Sequence, residues 1–190
     1  MSTVIILNGP PGVGKDTIGR ALAKEVPHVQ LFEFKEALRW ATWRYFVDGR
    51  PERERIMPFR EFKLYASDRN LKEQPCLALS GNSPREAMIY VSEKVYKTIF
   101  GDDYFGIQAA LDVEKRLAPG EVAVFTDGGF PAEQQVLSDR GHLVRVVRLH
   151  RDGFDFTGDS RDYVEWEPSI DVYLEEGNVQ FAVDEIRQSL

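Results

Sequence analysis

Leu7-Asn8-Gly9-Pro10-Pro11-Gly12-Val13-Gly14-Lys15-Asp16-Thr17 is the segment from which the rest of the chain can be read. An apolar run, Thr3 to Leu7, comes before it, and a helical pattern from Ile18 to Val26 comes after. Strand, glycine-rich loop, lysine and helix, in that order, form a phosphate-binding arrangement. The spacing Gly9-x4-Gly14-Lys15 fits the P-loop pattern as far as the lysine. Glycines at 9, 12 and 14 let several backbone N–H groups converge on one anion. The helix that starts near Lys15 aims its unpaired N–H groups and its positive dipole end at the same point. Lys15 adds a mobile cation for the β- and γ-phosphates.

The next position departs from the pattern. Where Ser or Thr usually follows the lysine to hold Mg²⁺, this chain has Asp16 and then Thr17. A carboxylate is also a hard oxygen ligand, so Asp16 is a candidate metal ligand, directly or through water. Thr17 is placed to bond the α-phosphate. The nucleotide-binding set is therefore Gly9, Pro10, Pro11, Gly12, Val13, Gly14, Lys15, Asp16 and Thr17.

Composition narrows what surrounds this loop. A chain of 190 residues makes one domain, or one domain with a small insert, and can bury a sizeable core. Cys76 is the one cysteine, which excludes an internal disulfide and a Cys-rich metal site. No apolar run approaches the roughly 20 residues that span a bilayer, and the N-terminus lacks the pattern of a signal peptide. The expectation is a cytoplasmic protein without a membrane partner. Net charge is −7, which argues against a protein that coats nucleic acid generally. The charge is unevenly spread. Leu38 to Lys72 carries nine Lys and Arg against five acids, a local +4, whereas Asp152 to Leu190 carries two Arg against eleven acids, a local −9. Such asymmetry suggests a basic face for an anionic substrate.

Further along, Val29 to Phe32 reads as a short strand. A helix opens at Phe34-Lys35 and runs to about Val47, where Asp48-Gly49-Arg50-Pro51 breaks it. Glu52 to Ser67 is expected to be helical in pieces, interrupted before Pro58. Residues 34–80 interleave Trp40, Trp43, Tyr45, Phe46, Phe59, Phe62 and Tyr65 with Arg39, Arg44, Arg50, Arg53, Arg55 and Arg60. One reading is an amphipathic helical insert with aromatics in the core and arginines in water. The other is an acceptor-binding lobe, in which aromatic faces stack a base and arginines hold a phosphate.

Ser83-Pro84-Arg85-Glu86 reads as a helix start, with Ser83 as N-cap, Pro84 in the first turn and Glu86 closing a capping box. Met88, Val91, Val95 and Ile99 continue it as an apolar stripe. Arg85 sits in the first turn, where a cation opposes the dipole, so it is a candidate for binding an acceptor. Tyr104 to Leu117 reads as another helix. Val122 to Phe125 is a short buried strand that ends in Thr126-Asp127-Gly128-Gly129-Phe130-Pro131. In an open parallel sheet, ligands gather at the carboxyl ends of strands. Asp127 is thus a candidate Mg²⁺ ligand, an anchor for the metal's surroundings, or the group that receives the acceptor's proton. A helix over Phe130 to Asp139 and a strand over His142 to Leu149 follow; His142 and His150 lack metal-ligand spacing and read as structural or surface residues. The segment 150–165 reads as a mobile, lid-like loop, in which Arg151 and Arg161 would neutralise a transferring phosphoryl group and Asp159 and Ser160 would orient them. Ile170 to Leu174 is a last strand and Val179 to Gln188 a closing helix.

Taken together, these segments resemble the phage deoxynucleoside monophosphate kinase family. Gly9 to Thr17 matches its G-x4-G-K-D-T, and Phe34-Lys35-Glu36-Ala37-Leu38-Arg39 is similar to its F-A-x-P-L-K segment. Ser83 to Met88 is similar to its T-P-R-x-x-L segment, and Val124 to Pro131 to its strand-D-x-R-F-P segment. The order holds over residues 1 to about 145. The resemblance implies a single-domain, three-layer α/β P-loop kinase fold with a mainly parallel sheet, ATP and Mg²⁺ as cofactors, and a deoxynucleotide-type acceptor. Gly129 stands where that pattern has arginine, and the tail after Arg148 is short and lacks the His-and-Glu signature of members acting on free nucleotides. Phage relatives of similar sequence phosphorylate 5-hydroxymethyluracil within DNA, whose base must be turned out of the stack. The expectation is phosphorylation of 5-hydroxymethyl-deoxyuridine in phage DNA, with a deoxynucleoside monophosphate kinase as the alternative. A nucleotide-gated switch ATPase is the alternative from another class. Location would be the host cytoplasm if the chain is phage-encoded, and the oligomeric state is left open, a homodimer included.

Overall fold

The computed structural model describes residues 2–49, 57–159 and 161–189. Strands β1 (Thr3–Asn8), β2 (Val29–Phe32), β3 (Val122–Phe125), β4 (Leu143–Arg151) and β5 (Ser169–Leu174) form one sheet in the order β2-β3-β1-β4-β5. Every pairing is parallel. The helices are α1 (Lys15–Glu25), α2 (Lys35–Trp43), α3 (Phe59–Ser67), α4 (Pro84–Tyr90), α5 (Lys97–Phe100), α6 (Tyr104–Arg116), α7 (Pro131–Asp139) and α8 (Val179–Gln188). The chain divides into two compact units, Lys35–Phe105 and the remainder. The helical unit thus extends past the 34–80 boundary drawn from sequence. Among the described residues, no helix is long and apolar enough to cross a membrane.

The sheet unit has three layers because its central strands are apolar on both faces. Side chains alternate along a strand. In β1, Ile5 and Leu7 point to one face, where Ile18 and Leu22 of α1 and Ala182, Val183 and Ile186 of α8 cover them. Val4 and Ile6 point to the other, where Ala109, Ala110 and Val113 of α6 and Leu137 of α7 cover them. Val4 to Leu7 are fully buried, which favours folding by about 1.5–3 kcal/mol per side chain relative to exposure. Helix α1 leaves β1 on one face, and α7 leaves the neighbouring β3 on the other. Two adjacent strands whose exits diverge open a crevice at their carboxyl ends, where open α/β sheets bind ligands.

The helical unit has its own core of Val47, Met57, Phe62, Ala78, Leu79 and Ala87, with Trp43, Phe46, Phe59 and Tyr65 packed against it. Trp43 Nε1 donates to the Met57 carbonyl at 2.8 Å, which satisfies the one polar atom of the indole. The capping box forms as the sequence indicates: the Glu86 N–H donates to Ser83 Oγ, and the Ser83 N–H donates to the Glu86 carboxylate. Two expectations change. The apolar stripe from Met88 does not stay buried, because Val91–Tyr96 winds as π-helix and places more residues in each turn than the α-helical spacing assumes. Val91 is buried, whereas Ile99 is 66% exposed. Arg39 is buried rather than in water, beside Glu36 at 3.5 Å. Arg50, Arg53 and Arg55, and the start of the helix expected from Glu52, lie outside the described residues.

Candidate active site

β1 delivers the phosphate loop. Gly9 packs against β4 so closely that a Cβ there would lie 2.8 Å from the Leu149 carbonyl oxygen, so only glycine fits. Gly14, at φ 120°, then turns the chain into α1 in a conformation that side chains rarely adopt. Helix α1 has no side-chain cap, which leaves the N–H groups of its first turn for an anion. Lys15 Nζ bends back over the loop and donates to the carbonyls of Gly9 and Pro10. Asp16 and Thr17, in the first turn of α1, are exposed.

The neighbouring strand supplies Asp127. Its Oδ1 accepts the Phe34 backbone N–H at 2.9 Å, which fixes the orientation of the carboxylate. Two residues on, the N–H groups of Gly129 and Phe130 donate to Glu133 Oε2 at 2.9 and 3.1 Å, closing the turn into α7. Asp127 therefore projects from a turn held at both ends. It lies at the carboxyl end of β3, and the phosphate loop lies at the carboxyl end of β1, its hydrogen-bonded neighbour.

The described residues of the connection from β4 to β5 form no helix. Arg151 is the last residue of β4, two residues beyond the expected end of that strand, so it belongs to the sheet rather than to the loop. Its guanidinium lies over the Phe154 ring at 4.8 Å and pairs with Glu176 at 3.4 Å. Phe154 lies on Gly12 of the phosphate loop, 3.1 Å from where a Cβ would stand. Arg161 binds Asp159 through Nε and Nη2, both at 2.7 Å, and its N–H also donates to Asp159 Oδ1. Asn8, almost fully buried at the end of β1, accepts the Val164 N–H and donates to the Asp162 carbonyl. This strap is thereby tied to the strand that carries the loop. Ser160 lies outside the described residues.

The bidentate Arg161 guanidinium holds the Asp159 carboxyl at about 2, against an ordinary 3.8, and Lys15 pulls in the same direction. A depressed carboxyl pKa stabilises the fold above the unfolded-state value, and that contribution is lost as pH falls toward the folded-state value. At pH 7 the wild type should therefore be more stable to urea than Asp159→Asn, and the gap should close between about pH 4 and 2. A gap that is constant from pH 7 to 3 would show that the pair contributes nothing through charge.

One feature has no signature in the sequence. A cavity of about 110 Å³ is lined by Val13, Gly14, Thr17, Arg151, Leu174 and the turn Glu175 to Val179 among others. The 175–179 turn carries only ordinary turn chemistry, and packing alone brings it beside the start of α1. Arg85 belongs to the helical unit, where it is exposed and pairs with Glu73 at 3.0 Å. His150 bonds Asp171 at 2.6 Å and stacks with Tyr173, while His142 is buried beside Glu114. No cluster of three or more potential metal-ligating side chains occurs among the described residues. Mg²⁺ in general takes one or two carboxylates together with substrate phosphates and water rather than an all-protein cage. Asp16 and Asp127 are the carboxylates suited to it.

No protein-family model matches the chain, and no curated protein matches it. Among solved structures, it is similar to the structure of Deinococcus radiodurans tunicamycin resistance protein. The likeness covers 100% of this chain and 95% of that one, at 16% identity and a TM-score of 0.47. At that identity and score the likeness says nothing of activity.

Proposed function

We propose that the protein is an ATP-dependent phosphotransferase that moves the γ-phosphate to a deoxynucleotide-type acceptor. One juxtaposition carries this reading: the Gly9–Thr17 loop, with Lys15 folded over it, lies at the end of β1, and Asp127 lies at the end of the adjacent β3. Loop N–H groups and Lys15 grip the triphosphate. The cleft bounded by Arg151, Leu174 and the 175–179 turn adjoins the loop on the side toward which the nucleoside end of the same molecule would extend. Asp16 and Asp127 are the carboxylates that would hold Mg²⁺, which would supply positive charge against the phosphates. Asp127 orients the attacking oxygen of the acceptor and takes its proton. Arg161, and Arg151 at the end of β4, supply positive charge against the phosphoryl group in flight. Positioning and electrostatics account for most of the catalysis in such a site.

For the acceptor, the reading is 5-hydroxymethyl-deoxyuridine within phage DNA. Support comes from the order of sequence segments and from the helical unit. That unit leaves Trp40, Tyr45 and Tyr90 nearly half exposed, its sequence from Leu38 to Lys72 is basic, and aromatic faces of this kind stack bases. A free deoxynucleoside monophosphate is the second reading, favoured by the exposed Arg85 at the start of α4, a cation suited to a terminal phosphate. The test is incubation with γ-labelled ATP and, in parallel, each deoxynucleoside monophosphate, plain DNA and hydroxymethyluracil-containing DNA. Label should enter the last of these. Label in a monophosphate would move the assignment to the second reading, and label only in inorganic phosphate would indicate a nucleotide-gated switch.

A further inference from the structure

The turn after β3 and the strap after β4 meet at one contact that neither motif accounts for. A Cβ built on Gly129 would lie 2.6 Å from Arg161 Cδ, 3.2 Å from its Cγ and 3.5 Å from its Cβ. The stem of Arg161 therefore lies along the bare backbone of residue 129, in the volume that any side chain there would fill. Gly129 itself is buried. The arginine is held from three directions. Asp159 grips its head bidentately, the stem rests on residue 129, and the backbone just beyond it is bonded to Asn8. Arg161 is left mostly buried, at 17% side-chain exposure, against Gly129, which stands two residues after Asp127. The carboxylates of Asp127 and Glu133 both reinforce its charge. A flexible arginine on a long connection would otherwise forfeit rotamer entropy on being fixed. Here the fixing is already done, which is what electrostatic catalysis asks of a cation.

We infer that Gly129 and Arg161 act as one unit: the missing side chain at 129 is the seat that lets the β4–β5 strap deliver a single, pre-positioned guanidinium to the γ-phosphate end of the loop. Gly129 is a positioning residue and acts only through Arg161. This rests on the phosphotransferase reading, and it adds which cation faces the transferred group and what holds it there. The space accommodates one arginine, reached from either side. It follows that residues 129 and 161 should tolerate exchange better than either single change.

The test measures MgATP and MgADP affinity by calorimetry for the wild type, Gly129→Ala, Arg161→Ala, their double variant, Gly129→Arg alone, and the exchange Gly129→Arg with Arg161→Gly. Arg161→Ala should weaken MgATP by about tenfold and MgADP by less than about threefold, since the lost charge-assisted bonds belong to the γ-phosphate. Gly129→Ala should produce the same split. The double variant should be no worse than Arg161→Ala within about twofold, the non-additivity expected of residues that act through each other. The exchanged protein should bind MgATP better than Gly129→Arg alone, an outcome that general damage to the turn would not produce. Additive losses, equal losses for both nucleotides, or no gain on exchange would overturn the pairing while leaving the phosphotransferase reading intact. A wild type that binds neither nucleotide would overturn both.

Discussion

Lys15→Ala should lower phosphoryl transfer by about three orders of magnitude while the protein stays folded. The side chain does little for the fold. Its partly exposed ammonium bonds two loop carbonyls, Gly9 and Pro10, and each such bond contributes about 1 kcal/mol net. Those carbonyls can turn to water when the ammonium is gone. In the proposed reaction, the same ammonium would be the mobile charge on the β- and γ-oxygens, where negative charge shifts in the transition state. Removing one such pre-positioned donor typically costs 10²- to about 10³-fold in rate, and a full cation on a phosphoryl group belongs at the upper end. Lys15→Arg should not rescue, because a planar fork cannot replace a compact ammonium seated between two carbonyls. Turnover of the alanine variant within threefold of wild type, with far-UV circular dichroism unchanged, would end the phosphotransferase assignment.

Asp127→Asn should cost about 10²- to 10⁴-fold in turnover, the range for loss of a positioned general base, and leave stability within about 1 kcal/mol. The amide keeps an oxygen for the Phe34 N–H, so the turn after β3 retains its anchor. What it loses is the negative charge and the ability to accept a proton. Asp127→Ala separates the two roles. It should be as inactive as Asp127→Asn and also less stable by about 1–3 kcal/mol, because a partly buried N–H is left unsatisfied. If the asparagine variant keeps wild-type turnover and only the alanine variant suffers, Asp127 is a turn residue and the proton goes elsewhere.

Much of the sheet unit was legible because its signals are local. The run Thr3–Leu7 alternates between two buried faces. Such a strand, followed by Gly9-x4-Gly14-Lys15, needs no distant residue to be recognised. Ser83 and Glu86 were equally readable, since both members of a capping box lie within one turn. Less legible were places where the backbone departs from a regular period. The π-helical turn at Val91–Tyr96 rotates Ile99 into solvent, and no residue there announces it. The apolar alternation fades after Leu149 and points to a loop at Arg151, yet pairing with β5 carries the strand two residues further. Arg39 looked like a solvent-facing arginine by residue type and is buried by its surroundings.

The sequence by itself therefore determined a glycine-rich loop between a buried strand and a helix, because glycine freedom and strand and helix periodicity act over a few neighbouring residues. Only the tertiary structure decided that Lys15 rests on the Gly9 and Pro10 carbonyls, that the 175–179 turn closes a cavity beside Arg151, and that Arg161 lies on Gly129. Residues 129 and 161 are more than thirty positions apart. Their meeting is set by sheet order, by the ties from Asn8 and by the volume that an absent side chain leaves, and no spacing rule in the chain encodes any of these.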